Sequence, residues 1–333
     1  MEKTDRSYVR RLRYLVQWSV FLMVVYAGVS FYFFVSALEH GALPSATRSP
    51  SIEGFMPIGA LMALKLRLTE GVFDPVHPAA LVIFTGSLAL ALFLKKSFCG
   101  WICPVGTLSD AVWKAGGKTF GRNFTIPAYI DYPLRSLKYI LMAFFLYIIL
   151  IRMSAPQISV FLNTPYWKVA DVKLLKFFTA MSLTTGITLS ALFGLSLLYK
   201  NFWCRYLCPY GGLLGLLSML SPIKIRRSEE KCIRCGLCAK NCPSLLPVDK
   251  KMNVKSPECT GCLTCVSYCP AKGALDMSVA GKKTVPPWIF AAAVAGIFFI
   301  LIIAAMAGGK WHSSVTPEEL RNLVPYLKNL EHP

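Results

Sequence analysis

Cys232-Ile233-Arg234-Cys235-Gly236-Leu237-Cys238-Ala239-Lys240-Asn241-Cys242-Pro243 returns 27 residues later as Cys259-Thr260-Gly261-Cys262-Leu263-Thr264-Cys265-Val266-Ser267-Tyr268-Cys269-Pro270. Cys-x-x-Cys-x-x-Cys-x-x-x-Cys-Pro, written twice, supplies the eight thiolates that two cubane iron–sulfur clusters need. In such pairs the fourth cysteine of each run crosses to the other cluster. The spacing therefore predicts one [4Fe-4S] cluster on Cys232, Cys235, Cys238 and Cys269, and a second on Cys259, Cys262, Cys265 and Cys242. Zinc sites also use Cys-x-x-Cys pairs, but they do not call for the third cysteine and the Cys-Pro. Gly236 and Gly261 lie inside the binding runs, where a missing Cβ lets backbone turn tightly beside a bulky group. The segment is too short to bury an adequate core alone, so cluster binding is expected to contribute much of its folding energy.

Outward from this segment the chain is apolar. Mean hydropathy is +0.51 and 55% of the 333 residues are hydrophobic. Charge-free runs at 15–38, 76–94, 177–199 and 285–309 are long enough to cross about 30 Å of hydrocarbon. A shorter run at 139–151, flanked by Lys138 and Arg152, is expected to span with both cations snorkelling to the interfaces. Of the 36 Lys and Arg, 26 fall before the first span, between spans two and three, or within 200–284. Five alternating spans put all three segments on one side, so the positive-inside rule makes that side the cytoplasm. The clusters and N-terminus then face the cytoplasm of a bacterial inner membrane, and the C-terminus faces the periplasm. The net charge of +19 needs no nucleic-acid partner. The surplus of positive charge in 200–284 also suits an acidic electron-transfer partner or anionic lipid.

A second repeat lies in the membrane part. Phe98-Cys99-Gly100-Trp101-Ile102-Cys103-Pro104-Val105-Gly106 and Trp203-Cys204-Arg205-Tyr206-Leu207-Cys208-Pro209-Tyr210-Gly211 share one pattern, 105 residues apart, each after an apolar run and a lysine (Lys95, Lys200). Spans one–two and three–four thus read as copies of one unit, which would bring the two motifs together at the cytoplasmic face. Proline favours the first helical position, which places Cys103 and Cys208 at N-caps, where a helix N-terminus lowers a thiol pKa. Cys99, Cys103, Cys204 and Cys208 are candidates for an extra metal or cluster, reversible disulfides or a redox relay; packed, inert helix-end cysteines are the alternative.

The fold expected is an all-α integral membrane protein of about five transmembrane helices with a two-fold repeat and a bacterial-type two-cluster ferredoxin module. The divisions are a membrane domain (1–222), a ferredoxin domain (223–284), a fifth helix (285–309) and a periplasmic tail (310–333). His40, His312 and His332 lie outside the apolar spans and His77 stands only at the outer end of the second, which argues against a bound haem. His77 reads as part of a turn that opens span two; a proton-accepting role at a quinol site is the alternative. Glu39, Glu53, Glu70 and Asp74 read mostly as solvated. Residues 58–70 read as an amphipathic interfacial helix, and Thr316-Pro317-Glu318-Glu319 as a helix start.

Two Cys-x-x-x-Cys-Pro motifs followed by a paired ferredoxin segment resemble membrane iron–sulfur proteins of the NapH and NosR type, over roughly residues 10–280. Those accompany periplasmic nitrate reductase and nitrous oxide reductase systems, with relatives linked to copper handling, methylamine use and reductive dehalogenation. The resemblance implies electron transfer between the quinone pool or cytoplasmic donors and redox partners beyond the membrane, such as a cytochrome or reductase complex. It also implies an electron-transfer subunit, quinol-dehydrogenase-like, rather than a stand-alone enzyme. A copper or thiol reductase serving assembly of a respiratory metalloenzyme is the alternative. The fifth span, the tail and the lack of a flavin-binding N-terminal domain depart from parts of that pattern.

Overall fold

The computed structural model describes residues 6–280, 283–327 and 329–330. Helices dominate it: α1 (Ser7–Glu39), α2 (Pro57–Glu70), α3 (Pro78–Leu94), α4 (Pro104–Thr119), α5 (Ala128–Leu146), α6 (Ala155–Leu162), α7 (Pro165–Lys168) and α8 (Ala170–Thr179). There follow α9 (Leu183–Leu198), α10 (Pro209–Leu217), α11 (Leu237–Lys240), α12 (Thr264–Ser267), α13 (Pro287–Ala307) and α14 (Pro317–Leu323). Strands β1 (Ile223–Arg227), β2 (Asn253–Val254), β3 (Leu275–Val279) and β4 (Lys283–Val285) form one antiparallel sheet in the order β2-β1-β3-β4.

Among the described residues three helices are long and apolar enough to cross a membrane: α1, α13, and α5 with its one-turn π-helical continuation to Arg152. α3 is apolar but shorter. The run at 177–199 is not one continuous helix. It breaks between α8 and α9 with a bend of 76°. The cause is local: the Ser182 hydroxyl accepts from the Thr185 N–H at 3.2 Å, a cap that restarts the helix. An uncharged run carries no sign of such a break, because serine and threonine do not interrupt apolarity.

The chain divides into two compact units. One comprises Met1–Phe21, Ser87–Met142 and Ser190–Phe298; the other comprises Leu22–Gly86, Ala143–Leu189 and Phe299–Pro333. In the first, β1 pairs Ile225 with Met277 and with Val254, and all three side chains are buried. The sheet covers its inner face by strand alternation and frames the cysteine loops.

In the second unit, Phe31, Phe34 and Leu38 of α1 pack with Met62 and Leu66 of α2, Ile158 and Leu162 of α6, and Trp167. Gly59 admits Trp167, since a Cβ there would lie 1.9 Å from the indole. α2 matches the helix expected at 58–70. Its Lys65, however, turns inward to the carbonyls of Ile149 and Leu150, both at 3.0 Å. Those carbonyls lie in the π-helical turn, where backbone acceptors are freed. Glu53 and Asp74 are not solvated: 2% and 1% of their surfaces remain exposed. Glu53 faces His77 Nδ1 at 3.3 Å and accepts the Ala80 N–H, while Asp74 accepts the Trp167 indole N–H at 3.0 Å. Their carboxylates anchor the turn that opens α3, because buried charge is tolerated only with such partners. α14 starts as expected, with the Thr316 hydroxyl accepting the Glu319 N–H.

Candidate metal centres

Both ferredoxin loops bend the same way. Left-handed φ angles fall at Arg234 (55°) and Gly236 (70°) in the first, and at Gly261 (61°) and Leu263 (57°) in the second. These are equivalent positions, so each copy places glycine at one and a strained side chain at the other. Such alternation turns successive N–H groups inward into an anion-binding cradle, a form that recurs at iron–sulfur sites. The N–H of Arg234 faces the Cys232 sulfur and that of Gly261 faces the Cys259 sulfur. Gly261 has a second reason to be glycine, for a Cβ would lie 3.3 Å from Phe290 and 3.5 Å from the Lys95 Cβ.

The thiols sort into two groups. Burial, followed by the charges of Cys262 and Cys259, pushes Cys242 up to about 12. Burial raises Cys265 as well, with Cys262, Cys242 and Cys259 as the nearest charges. Burial likewise raises Cys269, whose neighbouring thiols are Cys235 and Cys232, and Cys238, whose neighbour is Cys269. Cys232 moves the other way, held down by the Arg234 N–H and the Arg227 guanidinium. Cys242 thus interacts electrostatically with Cys259, Cys262 and Cys265, and Cys269 with Cys232, Cys235 and Cys238, while Cys238 also acts on Cys265. All twelve cysteines are free thiols. These eight cysteines, with backbone N–H groups facing the Cys232 and Cys259 sulfurs, are thiol donors of the kind that [4Fe-4S] clusters would take.

Cys99 and Cys204 sit in one-turn π-helices, Phe98–Ile102 and Trp203–Leu207. Cys103 and Cys208 are the N-caps of α4 and α10, with prolines at the first helical position. The Cys208 sulfur accepts the Gly211 N–H at 3.3 Å. Gly106 lets α4 close on its turn, since a Cβ would lie 2.4 Å from the Cys99 carbonyl oxygen. The two motifs interact electrostatically: charges of Cys99, Cys204 and Cys208 all act on Cys103. The pKa values of Cys99, Cys103 and Cys204 do not fall. Burial pushes Cys99 up to about 11, Cys204 up to about 12 and Cys103 well above the ordinary value. Desolvation outweighs the helix N-terminus here. Among the described residues no three His, Cys, Asp or Glu side chains are gathered tightly enough to hold a single metal ion.

Both motifs abut the ferredoxin segment. A Cβ on Gly100 would lie 2.8 Å from the Thr260 carbonyl oxygen, and the Trp101 indole donates to the Gly261 carbonyl at 3.1 Å. In the second motif Arg205 donates to the Ser244 carbonyl at 2.6 Å, and Asn201 just before it donates to the Pro243 carbonyl at 3.3 Å. All four contacts fall on the segments that carry Cys242, Cys259 and Cys262. The other group is more open, and its Cys235 is exposed.

Charged residues that sequence reasoning assigned to topology hold this region together. Arg13 donates to the Gly100 carbonyl at 3.1 Å and the Thr264 hydroxyl at 2.9 Å, and pairs with Asp110 at 3.2 Å. Lys138 does not snorkel. It is fully buried and pairs with Glu258, which also accepts the Tyr139 hydroxyl at 2.8 Å. Lys95 and Lys96 are buried beside Cys259 and the four-thiol group respectively. Adjacency to a cysteine motif was a signal for Lys95, Lys96 and Glu258, while Arg13 and Lys138 carried none.

The family described as "4Fe-4S binding domain" matches residues 76–123 and again 181–228, spanning each Cys-x-x-x-Cys-Pro motif, and the "4Fe-4S dicluster domain" matches 224–270. The chain is 43% identical to YccM of Escherichia coli, named for electron transport, over 96% of this chain and 91% of that protein. It is 31% identical to MJ0749 of Methanocaldococcus jannaschii over 60% of this chain and 70% of that one. To the ferredoxin-type protein NapH of Escherichia coli it is 29% identical, over 58% and 67%. No solved structure matches the chain significantly.

Proposed function

Because the chain belongs to the NapH/NosR-type family of membrane polyferredoxins, whose activity is iron–sulfur electron transfer, we propose that it passes electrons between the quinone pool, or a cytoplasmic donor, and a redox partner in or beyond the membrane. The observation that carries this reading is the contact between the two membrane motifs and the Cys242–Cys259–Cys262 side of the ferredoxin segment. Cys232, Cys235, Cys238 and Cys269 hold one cluster; Cys259, Cys262, Cys265 and Cys242 hold the other. When bound, the clusters supply one-electron transfer.

The protein's own residues do the rest. The inward N–H groups orient and compensate the thiolates. Trp101 and Phe290 exclude water from the Cys259 side, with ring centroids 5.8 Å apart. Cys99, Cys103, Cys204 and Cys208 form the relay site toward the membrane, with a quinone as the mobile carrier. The positive-inside distribution supports a cytoplasmic ferredoxin segment in an inner-membrane protein.

The test is anaerobic purification followed by iron and acid-labile sulfide analysis, then reoxidation of the reduced protein by a water-soluble quinone. About eight irons per chain are expected for two cubes. Cys103→Ser and Cys208→Ser are expected to slow reoxidation at least tenfold with that iron retained. Unchanged rates would remove the relay role. Stoichiometric copper on the four thiols, with no response to quinone, would favour the assembly-factor alternative.

A further inference from the structure

Lys95 ends α3 in a conformation that lysine rarely adopts, with φ at 61°. Its backbone is pinned on both sides. The Lys95 N–H donates to the Ser221 hydroxyl at 3.0 Å, and its carbonyl accepts the Ser97 N–H at 2.7 Å. The left-handed residue turns the two consecutive lysines to different places. Charges of Cys99, Glu258, Cys208 and Cys204 act on Lys96. Those acting on Lys95 are the Cys259 thiol and the Lys224 ammonium, with no carboxylate among them.

Lys95 is 1% exposed, and its Nζ has no hydrogen-bond partner among the described residues. The nearby acid, Glu258, is taken by Lys138 and Tyr139. An ammonium so placed is unfavourable unless an anion faces it. The Lys95 Cβ lies against Gly261, midway along the loop from Cys259 to Cys262. A cube on four thiolates is a net anion, and its charge grows by one on reduction. A fixed cation in this low-dielectric wall favours the reduced form.

We propose that Lys95 is the charge partner of the centre held by Cys242, Cys259, Cys262 and Cys265, and raises the reduction potential of that centre above that of its neighbour. This rests on the cluster assignment proposed above. Lys95 is a positioning residue in charge, touching neither a carrier nor a partner. The order it sets is functional: the centre that abuts the membrane motifs is the easier one to reduce, so reducing equivalents collect on that side.

The experiment is an EPR-monitored redox titration of the full-length protein in detergent, with Lys95→Met, Lys95→Arg and Lys96→Met. Lys95→Met is expected to weaken reduction of one centre at least tenfold, about 59 mV for a one-electron couple, and to leave the other within twofold. Lys95→Arg keeps the charge and stays within threefold of the native value, and Lys96→Met moves that centre less than Lys95→Met does. Loss of iron in Lys95→Met but not in Lys95→Arg would equally mark the charge as the requirement. Equal behaviour of Met and Arg, or equal shifts of both centres, would overturn the proposal. Native protein without iron and sulfide would instead sink the cluster assignment itself, which separates the two failures.

Discussion

Lys138 donates to both carboxylate oxygens of Glu258, at 2.7 Å each, and Glu258 immediately precedes Cys259. One residue on α5 thereby fixes the start of a cysteine loop 120 positions away in the chain. The lysine is wholly buried. Breaking such a pair strands a charge in a low-dielectric wall. Lys138→Met alone, or Glu258→Gln alone, is expected to cost about 3–5 kcal/mol. The double variant should recover most of that loss. Thermal bleaching of the cluster absorption in detergent reports all three, and equal losses for single and double variants would contradict the pairing.

The same carboxylate carries a pH dependence. Burial alone would raise Glu258, but the Lys96 and Lys138 ammoniums outweigh it and hold the carboxyl below its ordinary value. A group depressed on folding adds stability that is fully present above its unfolded pKa. That stability is lost as pH falls through the folded pKa. Native protein should therefore lose stability below about pH 4.3, the ordinary glutamate value. Glu258→Gln should flatten this limb of the stability curve, which acid titration of the melting temperature checks.

Gly100 marks where the first membrane motif meets the ferredoxin loop. A methyl there would press within 2.8 Å of the Thr260 carbonyl oxygen. Gly100→Ala is expected to cost about 1–3 kcal/mol by overpacking and to loosen the Cys259 loop, visible as faster iron loss to a chelator. Gly194→Ala is the matched control. No atom lies within 4 Å of a Cβ at that position, and alanine there should leave stability unchanged or slightly raised.

Arg13 ties α1 to three elements at once: the Gly100 carbonyl, Thr264 and Asp110. Arg13→Ala is expected to cost about 3 kcal/mol or more, since it leaves Asp110 with fewer partners in a buried site. Arg13→Lys should rescue little, because a compact ammonium lacks the planar fork with which the guanidinium reaches three acceptors on separate elements. Proteolysis of the loop around Cys259–Cys265 would report the loosening, and full rescue by lysine would contradict the fork.

In the second unit Gly59→Ala tests the seat of Trp167. The new methyl would overlap the indole, and a loss of about 1–3 kcal/mol is expected. Tryptophan fluorescence, compared with a Trp167→Phe background in which the overlap shrinks, reads the effect.

Local spacing determined a great deal by itself. The eight ferredoxin cysteines, the two Cys-Pro caps and the apolar runs are all statements about residues within a few positions of one another. Motif spacing carries the Cys-Pro caps, whereas the break in the 177–199 run had no such signal. The left-handed angles at Arg234 and Leu263 were half-signalled, because glycine marks only one of the two bends in each loop. Charge was misread wherever its partner lay far along the chain. Lys138, Arg13, Lys95, Glu53 and Asp74 look in sequence like flanking or solvated charges. Folding buries each of them, in most cases against a group dozens to hundreds of positions away. The thiol pKa values at Cys99, Cys103 and Cys204 depend in the same way on burial, which no spacing encodes. Ligand identity is a property of the local chain. The dielectric and the charges around the ligands belong to the packed tertiary structure, because desolvation and Coulomb terms are set by whatever the fold brings alongside.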